Sequence, residues 1–241
     1  MAKTIKVTID PGHDKYSNVS PVNPKYIEGV QMWKLGTYLK KALEAYGIEV
    51  VLTRPKVSDT IKEVTERGKL AADNGSDLMI SLHSNAPASN ADGTYNTSIT
   101  GTVVYYSLTD AKNKTLADAL GKTISDTMGH YYRGSKTRQY SSSHPDWDWY
   151  GVIRGAARNG CKAAFLIEHG FHTCTKDINF LMSDANLALL ADAEAKVIAN
   201  HFGIKKALYR IQVGAFSDIN NANNYKKKLE ADGYQAFVVK I

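Results

Sequence analysis

The chain has 241 residues, of which 43% are hydrophobic and 22% charged, and its formal net charge is +6. That length can bury a full core and leaves room for one large domain and a small appendage, while no apolar run approaches the roughly 20 residues that span a bilayer, so we expect no membrane partner. The lysines are scattered apart from the run 226–228, and no nucleic-acid-binding motif is present, so the charge favours an acidic polymer over nucleic acid.

Strand and helix patterns alternate from the N-terminus to residue 203. Alternating apolar and polar residues predict strands, whereas apolar residues three or four apart predict helices. The predicted strands are 4–10, 48–53, 78–83, 102–107 and 163–168, and the predicted helices are 27–46, 61–74, 110–129 and 184–202. This alternation predicts an α/β fold, a mostly parallel twisted sheet with helices on both faces.

Four polar residues stand where these elements begin or end. His13 follows the first strand, Glu28 begins the first helix, and His83 and Glu168 end two apolar strands. Because sites in such sheets gather at the carboxyl ends of strands, we expect these side chains to converge. Two imidazoles and one carboxylate suit an open zinc site with water as the fourth ligand, and a further carboxylate nearby would move protons.

Each of these residues also has a structural explanation when it is taken alone. A histidine at a strand end is more often incidental than functional, and a carboxylate such as Glu28 in the first turn of a helix complements the helix dipole. An ionisable group after the apolar run AAFLI costs free energy unless it is paired or functional, which favours a role for Glu168. We also predict that Asp10 orients the His13 imidazole.

Residues 130–150 interrupt the alternation and are predicted to form a long loop. The segment contains Trp147, Trp149 and Tyr150 close to the predicted site. Such rings either form a wall on which a substrate stacks or pack the loop onto the body of the protein, and the sequence leaves both readings open.

The blocks that carry the four polar residues resemble the signature of a known family. TIDPGH, YIEG, SLHSNA and FLIEHGFHT are similar, in order and spacing, to blocks of zinc-dependent N-acetylmuramoyl-L-alanine amidases of the amidase-3 type, over about residues 4–203. The resemblance implies that His13, Glu28 and His83 hold one zinc ion per chain and that Glu168 is the catalytic carboxylate. It also implies that the substrate is peptidoglycan, cut between N-acetylmuramic acid and the L-alanine of the stem peptide.

The chain departs from the family pattern around these blocks. Residues 14–16 replace the usual glycines, His169 and His172 stand where apolar residues are common, and Cys174 stands where asparagine is common. We expect these changes to alter substrate preference rather than the chemistry. His169 and His172 are expected to be structural or substrate-facing rather than additional ligands.

After residue 203 the sequence changes character. LYRIQVGAF, a helix over 218–232 and QAFVVKI are predicted to form a βαβ unit, which resembles one repeat of the peptidoglycan-binding SPOR domain. That module normally has two such halves, so we expect two tails to pair and give a homodimer; the alternative is a tail that packs on the catalytic domain or stays loose. The predicted domains are 1–203 (catalytic), 204–207 (linker) and 208–241 (SPOR-like half repeat).

Other interpretations stay open at this point. Two histidines and a glutamate also suit a zinc peptidase acting on stem peptides, and a non-catalytic wall-binding protein is a third possibility. A phage endolysin and a mother-cell lytic amidase are equally compatible with these residues. Because MAKTIKVTID has no apolar signal core, we expect synthesis in the cytoplasm and action on the wall after release, by a holin or on lysis.

Overall fold

The computed structural model describes residues 4–59, 62–206 and 211–240 and divides the chain into two compact units, Met1–Lys206 and Ala207–Ile241. The domain limits expected at 203 and 208 stay predictions. No helix in the described ranges is both long and apolar enough to cross a membrane.

A six-stranded sheet forms the centre of the first unit. Its spatial order is β2-β1-β3-β8-β4-β5, and a separate antiparallel pair is formed by β6 and β7. The strands are β1 Lys6–Pro11, β2 Glu49–Leu52, β3 Leu78–Asn85, β4 Thr102–Tyr106, β5 Tyr132–Lys136, β6 Gln139–Ser141, β7 His144–Asp148 and β8 Ala164–Phe171. The neighbours β2, β1, β3 and β8 run parallel, and β4 runs antiparallel to β8, which confirms the mostly parallel α/β sheet.

Helices cover both faces of this sheet. They are α1 Glu28–Glu44, α2 Val64–Asp73, α3 Lys114–Met128, α4 Gly151–Arg158, α5 Thr175–Leu181 and α6 Asp184–His201. The large apolar core lies between one face and α1, α3, α5 and α6, whereas a smaller cluster lies on the other face with α2 and α4. The second face therefore carries α2 and α4, and a cleft opens beside the first residues of both helices.

The alternation of side chains along β3 and β8 decides which residues face that cleft. Met79 of β3 and Leu166 of β8 belong to the smaller cluster, while their strand neighbours Ile80 and Ile167 belong to the large core. Because successive residues of a strand point to opposite faces, His83 and Glu168 lie on the same face as Met79 and Leu166. The two strands pair in register at His83 and Glu168.

Helices α2 and α4 cross at unusually short range. A Cβ on Gly68 would lie 2.1 Å from the carbonyl oxygen of Val152, and a Cβ on Gly155 would lie 2.1 Å from that of Thr65. Only glycine fits at these contacts, since real Cβ atoms do not approach a backbone oxygen so closely.

Several element limits differ from those predicted. The strands carrying His83 and Glu168 continue to Asn85 and Phe171, so both residues lie inside paired strands. The segment 130–150, predicted as a loop, contains β5, β6 and β7, and the unpredicted helices α4 and α5 follow it. The serines and proline of SSSHPDWD are typical of a loop, and the pairing of β6 with β7 overrides that local preference.

The second unit contains one helix, α7 Ile219–Ala231, in its described part. The Asp218 side chain caps it by accepting hydrogen bonds from the backbone N–H groups of Asn220 and Asn221. Residues 211–217 and 234–240 form no strand, in contrast to the expected βαβ pairing, and 208–210 and 241 lie outside the described residues. A strand is held by hydrogen bonds to a neighbouring strand, and these two segments make no such ladder with each other.

Candidate metal centre

His13 reaches the site through a tight turn after β1. Its backbone φ is 58°, a left-handed conformation that is uncommon for residues other than glycine. A Cβ on the preceding Gly12 would lie 2.5 Å from the ring of His83. Glycine therefore lets the end of β1 approach β3, and the ring centroids of His13 and His83 lie 4.9 Å apart.

Glu28 is the first residue of α1, and its side chain is fully buried. Its Oε1 accepts a hydrogen bond from the backbone N–H of Ser84 at 2.8 Å and lies 3.1 Å from Nδ1 of His83 and 3.5 Å from Nε2 of His13. Its Oε2 accepts a hydrogen bond from Nδ2 of Asn18 at 2.9 Å. The carboxylate is thus held between both imidazoles.

The charges in this cluster reinforce one another. Burial alone would raise the pKa of Glu28, but the hydrogen bond from His83, the imidazole charges and the Ser84 N–H outweigh it and lower that pKa to about 2. Burial lowers the pKa of His13. Burial would also lower the pKa of His83, but the hydrogen bond to Glu28 and the charge of Glu28 outweigh burial and raise that pKa. An ionised carboxylate therefore faces the two imidazoles at neutral pH.

The donor atoms of His13, Glu28 and His83 fit a single metal ion. They all lie within 4.8 Å of one another. Two imidazole nitrogens and one carboxylate oxygen form the donor set of open metal sites, in which a further position is left for water or substrate. In the part of the chain that the structure describes, neither His169 nor His172 belongs to this group.

Glu168 lies beside the three candidate ligands without sharing their contacts. It is 9% exposed and pairs with His83 across the β3–β8 register, and its Oε2 has no hydrogen-bonding partner within the described ranges. Burial raises its pKa to about 7, against the lowering effect of His83. A carboxyl that changes protonation state near neutral pH suits proton transfer.

An open cleft of about 500 Å³ brings these groups together. His13, His83 and Glu168 line it, together with side chains at the start of α2 and α4. The sequence predicted this convergence from strand ends, and the structure places all four predicted residues around one cleft or directly behind it.

The two additional histidines lie behind the site. Nδ1 of His172 lies 2.9 Å from the carbonyl oxygen of Ser84 and 3.6 Å from Oε2 of Glu28. His169 is fully buried, with Nε2 3.2 Å from Oε1 of Glu194 in α6 and Nδ1 3.2 Å from the carbonyl oxygen of His83. Both contacts support a structural role, since they tie the ligand-bearing segments to the core.

Asp10 does not contact His13, in contrast to the prediction. Both of its carboxylate oxygens lie 3.0 Å from Nη1 of Arg67 in α2, and one also accepts a hydrogen bond from Ser81 Oγ at 2.6 Å. This buried ion pair fastens α2 to the sheet beside the cleft. Arg67 was missed because its position in a helical pattern gives no sign of a partner 57 residues away.

Comparisons with known proteins agree with this geometry. Residues 7–200 match the sequence profile described as N-acetylmuramoyl-L-alanine amidase (Amidase_3), and residues 205–241 match that of the SPOR domain. The chain is 28% identical to the N-acetylmuramoyl-L-alanine amidase CwlM of Bacillus licheniformis, over 98% of this chain and 85% of that protein. It is 25% identical to the sporulation-specific N-acetylmuramoyl-L-alanine amidase of Bacillus subtilis (strain 168), over 98% and 84% respectively.

Solved structures share the fold of the first unit. Cwp6 from Clostridium difficile superposes with a TM-score of 0.69 at 26% identity, over 83% of this chain but only 30% of that longer chain. AmiC2 of Nostoc punctiforme, an N-acetylmuramoyl-L-alanine amidase, gives 0.64 at 25% identity, over 83% and 97%. The catalytic domain of CwlV from Bacillus (Paenibacillus) polymyxa gives 0.66 at 23% identity, which shows the fold alone.

Proposed function

This chain belongs to the N-acetylmuramoyl-L-alanine amidase family, and we propose that it performs the family's reaction with one zinc ion held by His13, Glu28 and His83. The reaction is hydrolysis of the amide between N-acetylmuramic acid and the L-alanine of the stem peptide. The observation that carries the zinc assignment is the approach of three donors of the right kind to within 4.8 Å at the base of an open cleft.

The residues around the cleft divide the chemistry between them. When bound, zinc lowers the pKa of water and polarises a carbonyl group. Glu168, with a pKa raised to about 7 and Oε2 unpartnered among the described residues, can take a proton from water and return it to the amine of the departing L-alanine. The Ser84 N–H and Asn18 keep Glu28 oriented toward the imidazoles throughout.

Metal content tests the ligand assignment without reference to activity. Elemental analysis of the purified chain should find one zinc per chain, and His83→Ala should lose most of it, because two protein ligands hold the ion far less tightly than three. His201→Ala, which removes an exposed histidine at the end of α6, is the matched control and should keep its zinc. Full zinc content in His83→Ala would show that His83 is not a zinc ligand.

For the C-terminal segment that matches the SPOR domain, we propose that residues 205–241 bind peptidoglycan as a pair of tails from two chains. The SPOR match supports the ligand. Support for pairing comes from apolar side chains that this unit leaves exposed, among them Ile211 at 89% and Phe237 at 75%. A second copy offers a matching apolar surface, since an isologous contact needs only one self-complementary patch.

Light scattering over a concentration series tests the pairing. Wild-type protein should be dimeric at micromolar concentration, and Phe237→Ser should shift it toward monomer. Tyr131→Ser changes an equally exposed aromatic residue of the first unit and should leave the dimer intact. A wild-type chain that stays monomeric throughout would contradict the proposal.

We further propose that the protein meets its substrate after release from the cytoplasm, through a holin pore or on lysis of a mother cell. Support comes from the substrate alone, because peptidoglycan lies outside the cell membrane. Expression in a sensitive host with and without a holin tests this. Lysis that needs the holin is the expected result, and lysis without it would contradict release through such a pore.

A further inference from the structure

A second cavity, of about 210 Å³, lies next to the active-site cleft. Val64 and Val152 line the cleft, whereas Thr65 and Gly155, which follow them along α2 and α4, line the second cavity. The close crossing of α2 and α4 therefore separates the second cavity from the cleft. The residues that line the two cavities lie within one helical turn of each other along both helices.

The lining of this cavity is aromatic and positively charged. Arg154 and Arg158 stand one turn apart on α4, and Trp147 of β7 faces both of them. The guanidinium carbons lie 5.9 Å and 4.7 Å, respectively, from the centroid of the Trp147 ring. Arg158 reaches exposed Asp146 at 3.6 Å, a loose pair that a better anionic partner can replace.

The wall of the cavity is fixed rather than loose. Asp148, at the end of β7, is buried and accepts hydrogen bonds from Ser107 Oγ at 2.7 Å and from the backbone N–H of Leu108 at 2.9 Å. Arg154 donates to the carbonyl oxygen of Asp148 at 2.6 Å. The β6–β7 hairpin is thus tied to the segment that follows β4 and to α4, so little freedom is lost when a ligand enters.

We propose that this cavity is a carboxylate subsite, which binds a free carboxylate of the stem peptide while the scissile amide lies in the cleft. The proposal rests on the function proposed above, because that substrate is what carries carboxylates on the peptide side of the amide. Arg158 supplies a forked donor that matches a carboxylate. Trp147 packs against the apolar part of the same peptide unit, and the hairpin serves as a wall for the peptide.

Binding of stem peptides that lack the muramoyl group tests the subsite without turnover, since these peptides contain no scissile amide. Isothermal titration should show that a peptide with free carboxylates binds the wild-type chain roughly ten-fold more tightly than its amidated form, as one charge-assisted pair implies. Arg158→Gln should abolish most of that preference. The control Arg138→Gln removes a guanidinium that stacks on Trp149, outside the cavity, and should keep it.

Equal binding of the two peptides by wild-type protein, or an unchanged preference in Arg158→Gln, would overturn the subsite. So would binding of a chitin oligosaccharide that depends on Trp147 while the peptides show no dependence on charge, because the hairpin would then be a glycan surface. Hydrolysis of peptidoglycan by the wild-type protein is measured in parallel. If the wild-type protein prefers peptides with free carboxylates but does not hydrolyse peptidoglycan, the proposed function fails and the subsite stands.

Discussion

Glu168 is the residue on which the reaction should depend most, because it alone among the site residues combines burial with an oxygen unpartnered in the described structure. Glu168→Gln keeps the shape of the side chain but cannot transfer the proton. We expect turnover to fall by roughly 10²- to 10⁴-fold, with zinc content unchanged. Release of stem peptide from a soluble muramoyl peptide is the measurement.

Glu63→Gln is the control for this change, since Glu63 lines the same cleft and has no assigned role in proton transfer. Its turnover should stay close to that of the wild type. Near-normal turnover in Glu168→Gln would take the proton-transfer role away from Glu168.

The raised pKa of Glu168 also predicts how metal-free protein responds to pH. Its folded pKa of about 7 lies above the ordinary 4.5, so the carboxyl favours the folded state below pH 4.5 and that contribution is lost as pH rises through 7. In chelator, Glu168→Gln should therefore gain stability relative to the wild type at pH 8 but not at pH 5. The difference should be roughly 2–4 kcal/mol, from about 1.4 kcal/mol per pKa unit.

Denaturant unfolding at the two pH values measures this difference directly. The same comparison for Glu63→Gln should show no such change with pH, because that side chain is exposed. A Glu168→Gln stability difference that is the same at both pH values would contradict the raised pKa.

At the level of elements, the crossing of α2 and α4 sets the shape of both cavities. In Gly155→Ala the new Cβ would meet the backbone of Thr65, which cannot move aside without shifting α2. We expect a loss of about 1–3 kcal/mol in the free energy of unfolding. Lys69→Ala, at an exposed position of α2, should change the free energy of unfolding by less than about 0.5 kcal/mol. Equal denaturant midpoints for the two variants would show that the helices are not in tight contact.

Much of the fold could be predicted because its signals are local. Apolar runs such as LMISL and AAFLI mark the buried strands, and the polar residues that follow them identify His83 and Glu168. The partners of Asp10 could not be predicted in this way, because Arg67 meets it only after α2 has packed on the sheet. The β6–β7 hairpin was missed for a related reason, since its strands depend on pairing with each other and on the bond between Asp148 and distant Ser107.

The tail shows the limit of local reasoning most clearly. The helix predicted over 218–232 appears as α7, because its pattern and the Asp218 cap are contained in the segment itself. The flanking segments have strand-like sequences, yet in their described parts they form no ladder with each other. Strand-like sequence alone therefore did not decide the structure of these two segments, whereas the local signals of the helix did.

For the whole molecule, the division into two units predicts that catalysis and wall attachment separate. A chain ending at Lys206 retains the sheet, the core and the four site residues. It should hydrolyse a soluble muramoyl peptide as fast as the full chain but sediment less with insoluble peptidoglycan. Equal sedimentation of the two proteins would mean that the first unit alone accounts for wall binding.

The identity of the bond that is cut tests the central claim most directly. Mass spectrometry of purified peptidoglycan, digested with and without chelator, gives that identity. The account predicts free stem peptides that begin with L-alanine, absent in chelator and restored by added zinc. Fragments cut within the stem peptide, or amide cleavage that persists in chelator, would contradict it.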